Sequence, residues 1–105
     1  MSQYAVYRNQ NLRNWHAYPL LVDVQAELFE ALHICVVIPL TRAATVREFP
    51  LAHLTPVLVF EGEAYVLMTP QLTGIARADL GQHAGSLADQ ERTISSALEF
   101  LFRGF

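Results

Sequence analysis

Four histidines, one cysteine, two adjacent serines and one acidic pair are the side chains here that could carry chemistry. His16, His33, His53 and His83 could ligate a metal, but none stands in a His-x-x-x-His or His-Glu pairing that would set two ligands on one face. Cys35 is the only cysteine, which excludes an intramolecular disulfide and a cysteine-based metal cluster. Its setting, Ile34-Cys35-Val36-Val37-Ile38, reads as a small hydrophobe in a core rather than a reactive thiol. Ser95 and Ser96 lack the strand–turn–helix context of an exposed nucleophile and read as helix surface. Glu61 and Glu63 flank Gly62; paired carboxylates can do acid–base work, but at a hairpin tip they read as solvated surface. Leu80-Gly81-Gln82-His83-Ala84-Gly85 carries two glycines without the Lys-Ser/Thr that completes a phosphate loop. No catalytic residue, metal site or cofactor is expected.

Composition narrows the class further. The chain has 105 residues, 52% of them hydrophobic and only 16% charged, against roughly 45–50% and 25% in ordinary globular chains. Disorder is excluded, and residues 1–105 are expected to form one domain. A mean hydropathy of +0.24 exceeds what a lone small sphere can bury, so a symmetric homodimer is expected. Seven arginines, no lysine and a net charge of −3 leave no basic patch for gripping phosphates, and direct nucleic-acid binding is not expected. The start of the chain has no leader-like run, and no stretch is apolar for the ~20 residues a membrane span needs. A soluble, cytoplasmic protein without membrane contact is expected.

The elements that must position these side chains are mostly strands. Residues 4–7 read as a short first strand, followed by an Asn-rich exposed loop over 8–19 that carries Trp15 and Tyr18. Residues 20–25 alternate, with Leu20, Val22 and Val24 on one face and Asp23 and Gln25 on the other, as in a half-buried strand. Residues 26–33 fit either a turn or a single helical turn. Residues 34–38 read as a strand buried on both faces and ended by Pro39, and residues 41–51 as irregular. A hairpin is predicted from 54–60 and 63–68 around Glu61-Gly62, with Pro56 at a strand start or edge, and one more short strand over 72–78. The last element is a helix, capped by Asp89 with Glu91 in its first turn. Its apolar stripe is Ile94, Ala97, Leu98, Leu101 and Phe105; Phe100 and Phe102 lie off it, making the helix end hydrophobic nearly all round.

Several segments in order resemble the CcdB family of toxins: Tyr4-Ala5-Val6-Tyr7, Leu21-Val22-Asp23-Val24-Gln25, Val37-Ile38-Pro39-Leu40 and Leu54-Thr55-Pro56-Val57-Leu58 with Gly62. Met68-Thr69, Leu80-Gly81 and a terminus of Ala97-Leu98, Phe102 and Gly104 complete the match, which runs through nearly the whole chain. The resemblance implies a mostly β fold with one C-terminal α-helix, an SH3-like barrel of an antiparallel sheet and a smaller sheet. It also implies a homodimer with the two helices near the two-fold axis, and a toxin that is not an enzyme. Such a toxin wedges into the DNA gyrase A subunit, traps the cleaved DNA complex, and is neutralised by a CcdA-like antitoxin whose disordered segment folds on it. Roles in plasmid maintenance and transcription regulation come with the family.

Carried onto this sequence, the gyrase-binding residues are Leu28 and Phe29, then Glu99, Phe102, Arg103, Gly104 and Phe105. Glu99 stands where the family has Asn, and Arg103 where it has the Trp that inserts between the gyrase A subunits. The loop over 8–19 is also longer than the family's. These departures keep two alternatives open: a homologue that dimerises and binds antitoxin without poisoning gyrase, and a ribonuclease toxin of the MazF/Kid type. The ribonuclease needs cations around a scissile phosphate, and the absence of lysine speaks against it.

Overall fold

The β-branched run at residues 34–38 opens the longest strand of the structure and the one that organises it. The computed structural model describes residues 3–46 and 51–105. Residues 1, 2 and 47–50, the last part of the stretch expected to be irregular, lie outside the described residues. The strands are β1 (Ala5–Arg8), β2 (Leu20–Asp23), β3 (Ile34–Arg42), β4 (Val57–Phe60), β5 (Glu63–Leu67), β6 (Thr73–Ala76) and β7 (His83–Ser86), followed by α1 (Glu91–Arg103). The sheet is antiparallel in the order β4-β5-β3-β2-β1-β7, with β6 added beside β3. It curls into an SH3-like half-barrel with one C-terminal helix, and the larger and smaller sheets run into one another through β3.

β3 does not end at Pro39, as its sequence predicts. One edge of β3 pairs with β2 from Asp23↔Val37 to Leu20↔Leu40. The other edge is shared, with β6 on Ile34 to Val37 and β5 on Leu40 to Arg42. Pro39 falls at the junction of these two partners. Its carbonyl accepts from the Met68 N–H at 2.9 Å, and the missing N–H of a strand residue faces that same side, where no strand asks for a donor. A proline is thereby tolerated inside a central strand.

Two apolar layers line the sheet. Val6, Leu20, Val22, Ile38, Leu40, Leu58, Phe60, Tyr65 and Leu67 pack with Leu87, Ile94 and Ala97, so the helix lies on this face. The opposite face carries Leu21, Cys35 and Val37 under Ile75 and Leu80. That second layer corrects the half-buried reading of residues 20–25: β2 is buried throughout, Asp23 included. Alternation placed the faces correctly, but both faces are covered.

The predicted hairpin forms with Glu61 at φ 51° and Gly62 at φ 79°, the two positive values of a type I′ turn, and Pro56 immediately precedes the edge strand β4. Two features near the helix differ from the sequence reading. Residues 83–86, to which it assigned no element, are strand β7. Gly81 is needed there because a Cβ would collide with the Arg8 carbonyl, which accepts the Gly81 N–H at 3.1 Å. Nor does Asp89 cap the helix: it sits within the 3-10 turn Ala88–Gln90, and the N-cap position belongs to Gln90. The Gln90 amide reaches outwards instead, donating to the Val59 carbonyl at 2.7 Å and accepting the Val59 N–H at 3.0 Å. It imitates a neighbouring strand and so blunts the open edge of β4 while fixing the start of α1.

Candidate partner-binding surface

The helix end and the segment after β2 supply the exposed apolar side chains that the sequence reading selected. In α1, Ile94 and Ala97 are buried, and Leu98, Phe100 and Leu101 are half-buried, Phe100 with its ring 6.0 Å from that of His53. Beyond them the stripe runs out of protein to cover, and Phe102 is 71% and Phe105 78% exposed. The expected contribution of Phe105 to the buried stripe is therefore corrected: the chain leaves the helical path at Gly104. That residue is left-handed at φ 79°, and its N–H donates to the Phe100 carbonyl at 2.8 Å. A Cβ there would touch nothing, so the glycine serves the turn itself. Past this cap the Arg103 guanidinium lies over the Phe105 ring, 5.5 Å from its centre, a cation–π contact at the tip. Glu99 is exposed on the same helix, beside a cavity of about 260 Å³ lined by His53, Ser96, Glu99, Phe100 and Phe105.

Leu28 and Phe29 lie on a second element, the 3-10 turn Glu27–Phe29, and are 83% and 48% exposed. Their neighbours differ from those of the helix end: the Phe29 carbonyl accepts from Gln25 Nε2 at 3.0 Å, whereas the terminus packs by His53. The seven predicted residues thus lie on two elements, Leu28 and Phe29 on the 3-10 turn and the other five at the end of α1. Leu32 and Ile34 are also large and about half exposed on the same segment. The sequence reading passed over Leu32 and placed Ile34 in a strand buried on both faces, which is corrected, since β3 is buried on both faces only beyond its first residue.

Beneath that segment lies a buried polar group that alternation had assigned to solvent. The Asp23 side chain is fully buried; its Oδ1 accepts the Gln25 N–H at 2.8 Å, and its Oδ2 lies 3.9 Å from Arg77 Nη1. Burial pushes this carboxyl above the ordinary range, while the Gln25 N–H, the Cys35 thiol and Arg77 oppose the rise. Burial and the nearby Asp23 charge push the Cys35 thiol up to about 12, so it stays protonated and unreactive at neutral pH. Burial likewise raises Tyr7, again with Asp23 contributing.

A carboxyl whose folded pKa exceeds its unfolded one holds its proton more tightly in the native state. Its contribution to stability therefore falls as pH rises above about 4, and the fall is complete above the folded pKa. Relative to an Asp23→Asn variant, the wild type is expected to be most stable near pH 4 and to lose ground towards pH 7. Thermal melts of both proteins across that range check this, and a difference that stays flat would remove Asp23 as the titrating group.

Glu63 receives Arg42 Nε at 3.0 Å and the Tyr65 hydroxyl at 3.3 Å, so its carboxylate braces the surface of the sheet. Ser95 shares a hydrogen bond with the Tyr4 hydroxyl at 3.2 Å. Among the described residues no group of His, Cys, Asp and Glu is gathered to hold a metal, and no helix is long and apolar enough to cross a membrane. What the described residues offer is exposed large apolar side chains at the end of α1 and along the segment after β2.

A family model described as CcdB protein matches residues 3–104. The chain belongs to the CcdB family. Membership supports a toxin of a toxin–antitoxin pair. The fold is also similar to that of a solved structure, Mycobacterium tuberculosis toxin MazF-mt6, at 24% identity and a TM-score of 0.65, covering 93% of this chain and 95% of that one. At that identity the likeness is one of fold.

Proposed function

We propose that this CcdB-family protein acts without enzymatic chemistry, binding the DNA gyrase A subunit and trapping the cleaved DNA complex until a CcdA-like antitoxin removes it. The observation that carries this reading is the tip of α1. Phe102 and Phe105 stand in water on either side of a glycine-capped helix end, anchored by Ile94 and Ala97 in the core. Exposed aromatic side chains on a rigid element suit insertion into a partner, because little conformational freedom is lost on binding. Leu28, Phe29, Glu99, Arg103 and Gly104 complete the contact surface. In a homodimer with its helices near the two-fold axis, the surface is presented twice, matching the two-fold symmetry of a gyrase A dimer. The same reading places the protein in the cytoplasm, where gyrase works.

The ribonuclease alternative has less support, even with a MazF toxin sharing the fold. The chain has no lysine, and Arg77 is turned into the buried Asp23 rather than offered to a phosphate. The test is direct. Purified gyrase and supercoiled plasmid are incubated with the protein and denatured, and linear DNA is counted; RNA is incubated in parallel. Linear DNA is expected to accumulate with protein concentration and to fall about tenfold, without vanishing, for a Leu28→Ala, Phe29→Ala variant. RNA cut by the protein, with no gyrase A binding, would replace this reading with the ribonuclease one.

A further inference from the structure

Residues 26–34 are all exposed, so the segment that carries Leu28 and Phe29 has no buried side chain of its own to fix it. Its backbone carbonyls are held by side chains from outside the segment, and the structure shows which. The Phe29 and Ile34 carbonyls accept from Gln25 Nε2 at 3.0 and 3.1 Å, and Gln25 Oε1 takes the Val36 N–H at 3.1 Å. The Leu32 carbonyl accepts from Arg77 Nε at 2.9 Å and the His33 carbonyl from the Arg77 N–H at 2.7 Å. Both holders converge on one buried carboxylate. Asp23 Oδ1 fixes the Gln25 backbone, and Asp23 Oδ2 faces Arg77 Nη1 at 3.9 Å. Oδ2 and Arg77 Nη2 are buried without a hydrogen-bond partner, so the two opposite charges partly offset each other's burial, with the Gln25 N–H also compensating Asp23.

We infer that Arg77, aimed by the buried Asp23, is the positioning residue of the Leu28–Phe29 surface. The inference rests on the gyrase reading above for its binding arm alone. An arginine is required by the geometry: Nε bonds Leu32 while Nη1 faces the carboxylate, a fork that a lysine ammonium cannot supply. Arg77 has no contact with a partner in this account. It sets the loop before the partner arrives, which lowers the ordering cost of binding.

Arg77→Lys is the informative variant, because it keeps a cation beside the buried Asp23 while losing the fork. Hydrogen exchange on the full-length protein is expected to speed up about tenfold or more at the Phe29, Glu30 and Leu32 amides, with Ala97 and Leu98 in α1 unchanged. Affinity for a gyrase A fragment is expected to fall about tenfold in Arg77→Lys. In a Leu28→Ala, Phe29→Ala background the same substitution should have no further effect. Loop amides exchanging at the wild-type rate would overturn the inference, as would a binding loss that persists in that background. Failure of the wild type to bind gyrase A would strike the gyrase reading only, and the exchange measurement would still decide the role of Arg77. Where Arg77→Lys melts early, Arg77→Gln beside Asp23→Asn removes both charges together, and the same loop amides are read.

Discussion

Gly85→Ala is expected to lower the melting temperature by about 10–20 °C. The reason is how the sheet closes. β4 and β7 are the two ends of the strand order, and no ladder joins them. The Phe60 ring lies against Gly85 instead, so that a Cβ at residue 85 would sit 2.9 Å from two ring carbons. Phe60 has little room to yield, being buried and in edge contact with Tyr65 at 6.5 Å between ring centres. Gly85 also has φ 154°, where a side chain is strained whatever the space. Overpacking costs about 1–3 kcal/mol and backbone strain a similar amount, so a loss of about 2–4 kcal/mol is expected. Phe60→Leu in the Gly85→Ala background should recover the steric part, leaving the strain. A melting temperature for Gly85→Ala within about 2 °C of wild type would mean that ring and strand do not close the barrel. The functional consequence follows through the chain, since β7 leads directly to Leu87 and then to the helix that carries Phe102 and Phe105.

On the gyrase reading proposed above, Arg103→Trp is expected to raise affinity for gyrase roughly thirtyfold. The family resemblance places a Trp at this position, inserted flat between two gyrase A subunits against guanidinium groups. A buried Trp is a typical anchor of an interface, and its loss commonly costs about 2 kcal/mol or more. The Arg103 guanidinium retains a flat face and lies over Phe105, which keeps the tip ordered, but it brings a fixed positive charge towards positive partners. Growth of a host with ordinary gyrase, expressing wild type or Arg103→Trp without antitoxin, measures the difference. Equal killing by the two would show that the stacked Arg103–Phe105 pair replaces the Trp fully.

Local chemistry was enough for much of this protein. The Glu61-Gly62 turn was legible because only a few residues tolerate two successive positive φ values, and Cys35 because a small apolar side chain between β-branched neighbours suits a core, although Ile34 beside it is half exposed. The α1 stripe announced itself through helical spacing, and the CcdB family through ordered segments along the whole chain. Pro39, Asp23 and Gln90 were not legible, and for one reason. Each has a role set by what lies across from it: a gap between two partner strands, a second packed layer, and the bare edge of β4. The same holds for Leu28 and Phe29. Their exposure can be guessed from sequence, but their orientation depends on Arg77, 48 residues further on, reaching back to the Leu32 carbonyl past a buried Asp23. Periodicity reports which face a residue takes; only the tertiary structure decides whether that face meets water, because covering it requires elements distant in sequence.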